Sequence, residues 1–213
     1  SFASKNVSQV DGNKTIFVDR AIGGSGLNQT VTLGFFTQVN NRNDTFSGRN
    51  GYGISLTGFL SSGAGANDDT LTVTTNGLTT FNAGAGTFFG ETDTSARNYQ
   101  LTFTGDVNMN GNITATGNIH SVTKSNAGNL TLNGTASTFT GRMNINAGTL
   151  SINNLGGINN TIGTSSGVFM NGGTLNFVGL SGSGDGQTLT KALVLGNANN
   201  PVYANQAGTG GLL

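Results

Sequence analysis

The sequence predicts an all-β protein built as a parallel β-solenoid, and three observations carry that expectation. Helix-forming windows are missing: the chain has a single Glu, and Gly, Asn or Thr interrupts almost every window of ten residues. Short apolar alternations recur along the chain, each with two apolar residues flanking a small polar one, so one face is buried and the other wet. Between them recurs a second unit, an apolar alternation running into Asn and Gly, and a stack of coils needs such a repeating pair. The alternative is a β-sandwich, which also uses short strands and frequent turns but does not require the same two motifs to alternate.

Residues 1–45 are the least regular. NKTIFVDRAI, from Asn13, reads as one longer strand carrying Lys14, Asp19 and Arg20, and the region is expected to be an N-terminal cap or edge strand covering unpaired backbone at the solenoid end. Residues 46–213 are expected to form the solenoid, most clearly at 128–177. The first unit appears as VTL at Val31, ISL at Ile54, LTV at Leu71, LTF at Leu101, LTL at Leu130, LSI at Leu150 and LNF at Leu175. Their starts lie 17 to 30 residues apart, within the range of a solenoid coil. The second unit appears as LTTFNAG from Leu78, VNMNG from Val107, MNINAG from Met143 and VFMNGG from Val168. Asn and Gly tolerate positive φ, so Asn82, Gly84, Asn110, Gly111, Asn146, Gly148, Asn171 and Gly173 are expected to be structural corners. Phe81, Phe103, Phe139 and Phe177 fall at inward positions and are expected to fill the core.

Composition narrows the functions. Only 8% of the 213 residues are charged, against about a quarter in ordinary globular proteins, so hydroxyls and amides must keep the surface wet. The formal net charge is zero and the nine basic residues are scattered, which argues against nucleic acid as a partner. No cysteine is present, so disulfides, thiolate metal sites and thiol catalysis are excluded. No apolar run approaches the roughly 20 residues of a transmembrane helix. The chain opens on Ser1, which suits a residue left after signal removal.

Gly128 to Ile152, GNLTLNGTASTFTGRMNINAGTLSI, resembles the autotransporter-associated β-strand repeat. The matching residues are Leu130, Leu132, Gly134, Phe139, Thr140, Gly141, Ile145, Asn146, Ala147, Gly148, Thr149 and Leu150. GGTLNF from Gly172 repeats the last part, and GTGGLL from Gly208 resembles the start of a further unit. The resemblance implies a right-handed parallel β-helix, a passenger-type protein of bacterial autotransporters that is secreted or held at the cell surface as a stalk or adhesin. The family's outer-membrane barrel has no counterpart in the sequence, so a passenger fragment or a free-standing extracellular protein is expected.

Chemistry-bearing clusters are sparse. Asp68 and Asp69 are the one adjacent carboxylate pair, and neighbours on an extended chain point to opposite faces, which reads as a solvated turn. GAGANDDTLTV from Gly63 and GSGDGQTL from Gly182 loosely resemble a calcium-binding nonapeptide, making Asp68, Asp69 and Asp185 the metal ligands to examine. His120 is the sole histidine and reads as a surface or packing residue. Thr-x-Thr pairs, among them Thr72 with Thr74 and Thr102 with Thr104, could bind ice if aligned, but their uneven spacing is expected to misalign the rows. The sequence therefore predicts a non-enzymatic extracellular structural or adhesive protein without catalytic residues or cofactors, with other copies of itself or a cell or matrix surface as partner. Strand addition or end-to-end stacking would make it a filament subunit. The alternative, a carbohydrate-binding or carbohydrate-cleaving β-helix, has no Trp and only Tyr52, Tyr99 and Tyr203 for sugar stacking.

Overall fold

The computed structural model describes residues 5–39, 42–62, 69–82, 87–91, 98–115, 118–135, 137–138, 141–154, 167–178, 192–196 and 202–205, with backbone alone at 60–62, 87–91, 98–99, 115, 118–120 and 202–205. These residues hold twenty-one strands and no helix. Each of five coils supplies three strands. The first has β1 (Val7–Ser8), β2 (Thr15–Val18) and β3 (Thr30–Thr32), and the second β4 (Phe35–Val39), β5 (Asn43–Gly48) and β6 (Gly53–Leu56). The third has β7 (Gly58–Ser62), β8 (Asp69–Thr74) and β9 (Thr79–Phe81), and the fourth β10 (Thr87–Glu91), β11 (Asn98–Phe103) and β12 (Val107–Met109). The fifth has β13 (Asn112–Ala115), β14 (Asn118–Lys124) and β15 (Asn129–Leu132). Three further coils supply two each: β16 (Arg142–Ile145) with β17 (Thr149–Ile152), β18 (Gly167–Met170) with β19 (Thr174–Val178), and β20 (Ala192–Leu195) with β21 (Val202–Asn205).

The strands stack into three sheets. Sheet A runs β1-β4-β7-β10-β13, sheet B runs β2-β5-β8-β11-β14-β16-β18-β20, and sheet C runs β3-β6-β9-β12-β15-β17-β19-β21. Every described pairing is parallel and joins a strand to its counterpart one coil away. That pattern is a parallel β-solenoid and excludes a sandwich of antiparallel hairpins. Residues 137–138 continue over β13: the Ile113 N–H donates to Ser137 Oγ at 3.1 Å, and the Thr138 N–H donates to the Ile113 carbonyl at 2.8 Å.

Period-two alternation builds the core as vertical columns. In sheet C, Val107, Leu130, Leu150 and Leu175 stand in register, as do Phe81, Met109, Leu132, Ile152 and Phe177, and all are buried. Phe36 stacks on Phe59 with centroids 5.3 Å apart, and Phe46 meets Phe36 edge to face at 5.3 Å, joining sheets A and B through aromatic contact. Phe81, Phe103 and Phe177 are core residues as expected, and Phe139 lies outside the described residues.

The sequence series divides differently from its expected order. Val31 and Ile54 belong to sheet C, Leu71 and Leu101 to sheet B, and Leu130, Leu150 and Leu175 to sheet C again. Both sheets bury the same alternation, so the apolar pattern alone does not distinguish them. Residues 7–39 are paired coil by coil with those that follow, and the stretch from Asn13 yields the four-residue β2 at the edge of sheet B.

Candidate functional site

The outer face of sheet B carries aligned hydroxyls. Register places Thr15, Thr45, Thr72, Thr102 and Thr123 in one row, one residue per coil. A flanking row runs Asn43, Thr70, Gln100 and Ser121, about 6.6 Å away along each strand, and coils repeat about every 4.8 Å. Within sheet B the expected misalignment does not occur, because unequal chain lengths between coils are taken up in the connections while the ladder holds register. Of the Thr-x-Thr sequences, Thr72 with Thr74 lies in β8 and Thr102 with Thr104 at the end of β11, whereas Thr30 with Thr32 lies in sheet C and Thr114 in sheet A. No hydrogen bond among the described residues engages the hydroxyls of Thr45, Thr72 or Thr102, while Thr70 Oγ1 donates to Asn43 Oδ1 at 2.9 Å. Near either end of this face an arginine covers an aromatic ring: Arg49 lies 5.5 Å from the Phe17 centroid and Arg142 lies 4.8 Å from that of Phe169.

Sheet C ends instead in a bonded column. Asn82 Nδ2 donates to Ser55 Oγ at 3.0 Å, Asn110 Nδ2 to Asn82 Oδ1 at 2.7 Å, and Asn133 Nδ2 to Asn110 Oδ1 at 2.7 Å. Asn153 Nδ2 then donates to Asn133 Oδ1. At the end of sheet B, Asn171 Nδ2 donates to Asn146 Oδ1 at 3.0 Å. Each of Asn82, Asn110, Asn146 and Asn171 directly follows a strand, and Gly111 is buried between β12 and β13. Gly148 and Gly173 have φ of +72° and +70°, whereas the described asparagines with positive φ are Asn28, Asn50 and Asn126. Gly84 lies outside the described residues.

Polar groups also enter the interior. Lys124 occupies the column Phe46, Val73, Phe103, Lys124, Ile145, Met170 and is 0% exposed. Its Nζ donates to the carbonyls of Ser125 at 2.8 Å, Asn126 at 3.0 Å and Ala127 at 3.0 Å. Left-handed Asn126 (φ +59°) and Gly128 (φ +97°) help curl that corner around the ammonium. Burial pushes the Lys124 amine below its ordinary pKa, and the charge of Asp106 partly opposes the shift. At the corner between sheets A and B, Gln9, Gln38, Asp44 and Asp69 are all buried. Period two places Lys124 beside Val122 and Asp44 beside Phe46 on inward faces, and that alternation is the sequence signal for both buried charges.

Asp69 is 2% exposed, and its Oδ1 accepts the Arg42 N–H at 2.5 Å; Asp68 and Asp185 lie outside the described residues. No group of three or more His, Cys, Asp or Glu gathers among the described residues. His120 lies within β14. Tyr52 packs against the core, so much of its ring is turned from solvent.

Comparison with known proteins adds one match: residues 122–152 fit the family model of the passenger-associated-transport-repeat. The match begins in β14 and runs through β15, β16 and β17, two successive steps of sheets B and C. No curated protein and no solved structure matches the chain.

Proposed function

We infer that this autotransporter-associated β-helix repeat protein is a passenger-type segment serving outside the cell as a structural or adhesive element and not as an enzyme. One observation carries the proposal: the corner asparagines and the aspartates Asp69 and Asp106 are spent on holding neighbouring coils together. The asparagine column bonds coil to coil, Asp69 and Asp106 hold backbone N–H groups of adjacent coils, and Lys124 closes its own corner. Three parallel ladders share the load along the stack, which suits a stiff spacer.

Self-association supplies a mechanism. Leu193, Val194 and Leu195 of β20 are 36%, 41% and 58% exposed, whereas Val168 and Met170 one coil below are buried. A coil from a second copy stacked there would cover the inward residues and extend sheet B by strand addition. Sedimentation velocity and electron microscopy should reveal concentration-dependent rods; monomers alone at high concentration would remove the filament role. Labelling of intact producing cells tests the location, and a signal appearing only after lysis would exclude the surface.

The aligned hydroxyl rows favour a second reading, attachment to a surface whose own groups repeat near the strand spacing, with ice the simplest case. Ice-crystal shaping by the wild-type protein, lost in Thr72→Lys with Thr102→Lys, is the expected result. Unshaped crystals at high protein concentration would dispose of it.

A further inference from the structure

The corner joining sheets A and B in the first coils has a polar interior. Asp44, 1% exposed, accepts two hydrogen bonds at Oδ1, from the Lys14 N–H at 2.7 Å and Gln9 Nε2 at 3.0 Å. Gln9 also donates to the Gly12 carbonyl and accepts the Val39 N–H at 3.2 Å. One carboxylate and one amide thus fasten both ends of the 9–14 connection to the second coil. Asp44 Oδ2 is buried without a hydrogen bond.

The charges around Asp44 do little to neutralise it. Lys14 turns its backbone N–H toward Asp44 but its ammonium toward Asp11, at 3.0 Å. From β8, Asp69 adds a like charge, and its own Oδ1 takes the Arg42 N–H just before β5. Sheet A contributes the neutral amides of Gln9 and Gln38.

We propose that Asp44 is a proton-operated latch for the first coil: protonated, it holds β1 to β3 down, and ionised, it lets them open and bare the edges of β4, β5 and β6. A carboxylic acid retains an acceptor oxygen for Lys14 and Gln9 while removing a charge that the site neutralises poorly. Burial is the largest influence on the Asp44 carboxyl and raises its pKa above the ordinary 3.8, outweighing the hydrogen bonds from Lys14 and Gln9 and the nearby Gln38 amide; Asp69 raises it further. The folded coil therefore binds more protons than the opened one between 3.8 and the raised value. Its stabilisation is complete below 3.8 and declines as pH rises through that window.

Amide hydrogen exchange, corrected for intrinsic rates, reads the latch at Gln9, Gly34 and Thr45, whose N–H groups bond between the first two coils. From pH 4 to pH 8, protection of these amides in the wild type should fall severalfold, in the direction set by the raised Asp44 pKa. Asn146 and Asn171, in distant coils, should show no comparable fall. Asp44→Asn keeps the acceptor and should abolish the dependence, while Asp11→Asn should retain it. An unchanged slope in Asp44→Asn, or no slope in the wild type, overturns the latch. Should Asp44→Asn fail to fold, carbon-detected titration of wild-type Asp44 decides: a midpoint above 3.8 supports the latch, and one at or below it refutes it.

Discussion

Ile152 pairs with Phe177, and the residues that follow them are Asn153 and Val178, so the asparagine column of sheet C has no further amide to continue it. Asn153 Oδ1 is consequently buried without a hydrogen-bond partner. A column that ends this way should be stronger in its middle than at its top. Asn133→Ala removes an amide that both donates and accepts, leaving Asn110 Oδ1 and Asn153 Nδ2 unpaired, and should cost about 2 kcal/mol. Asn153→Ala breaks one bond and also removes the orphaned oxygen, so its cost should stay below about 1 kcal/mol. Urea denaturation of the two variants measures the difference; equal costs would mean the amides act independently.

Two left-handed glycines separate backbone conformation from crowding. At Gly148, φ is +72° and a Cβ would lie 2.4 Å from the Asn126 carbonyl and 2.6 Å from that of Gly128, both backbone atoms. At Gly23, φ is +78° and a Cβ would meet nothing within 4 Å. Gly23→Ala should therefore cost about 1 kcal/mol, the left-handed penalty alone. Gly148→Ala adds the clash with the coil below and should cost about 3 kcal/mol. Thermal melts of the pair decide, and similar losses would show that the corner yields.

Much of this architecture was legible because strand periodicity is a strong signal. Leu130, Leu150 and Leu175 were read as the same element and do stack. The sheet to which each alternation belongs was not legible: Leu101 in sheet B and Val107 in sheet C both bury an apolar residue at every second position. Sheet A was harder still, since GFLSS and NITA lack the repeated Asn-Gly ending. Alignment of Thr45, Thr72 and Thr102 could not be read from chain spacing, because unequal connections leave ladder register untouched. Lys124 and Asp44 fell at inward positions of the alternation, yet charge argued for solvent, and the buried partners that admit them come from corners the pattern does not describe.

The aromatic stack offers a test of how locally the coils are held. Phe59 is fully buried between sheets and stacks on Phe36. Phe59→Ala should destabilise its surroundings by about 3 to 5 kcal/mol through lost burial and a cavity. In a stack whose coils touch mainly their neighbours, that loss should be felt first in the second to fourth coils. Hydrogen exchange should find the Asn82 amide deprotected and the Asn171 and Thr174 amides little changed. Uniform loss along the chain would instead identify one cooperative unit.

Lys124 tests whether a charge inside an apolar column is tolerated through its carbonyl partners. Its neighbours in the column are Phe103 and Ile145, so Lys124→Met keeps most of the packing and removes the three donated bonds. Burial holds its folded pKa below the ordinary 10.5, so between the lowered value and 10.5 the unfolded chain binds more protons than the folded one. The lysine's contribution is therefore least favourable below the folded pKa and improves as pH rises toward 10.5. Near neutrality Lys124→Met should change stability by no more than about 2 kcal/mol, since lost charged hydrogen bonds and relieved desolvation oppose each other. Denaturant unfolding from pH 7 to pH 10.5 should show wild type gaining on Lys124→Met as the solution becomes alkaline. A difference that stays constant, or shrinks in favour of methionine, would place the ammonium in contact with water and end the case for a buried charge.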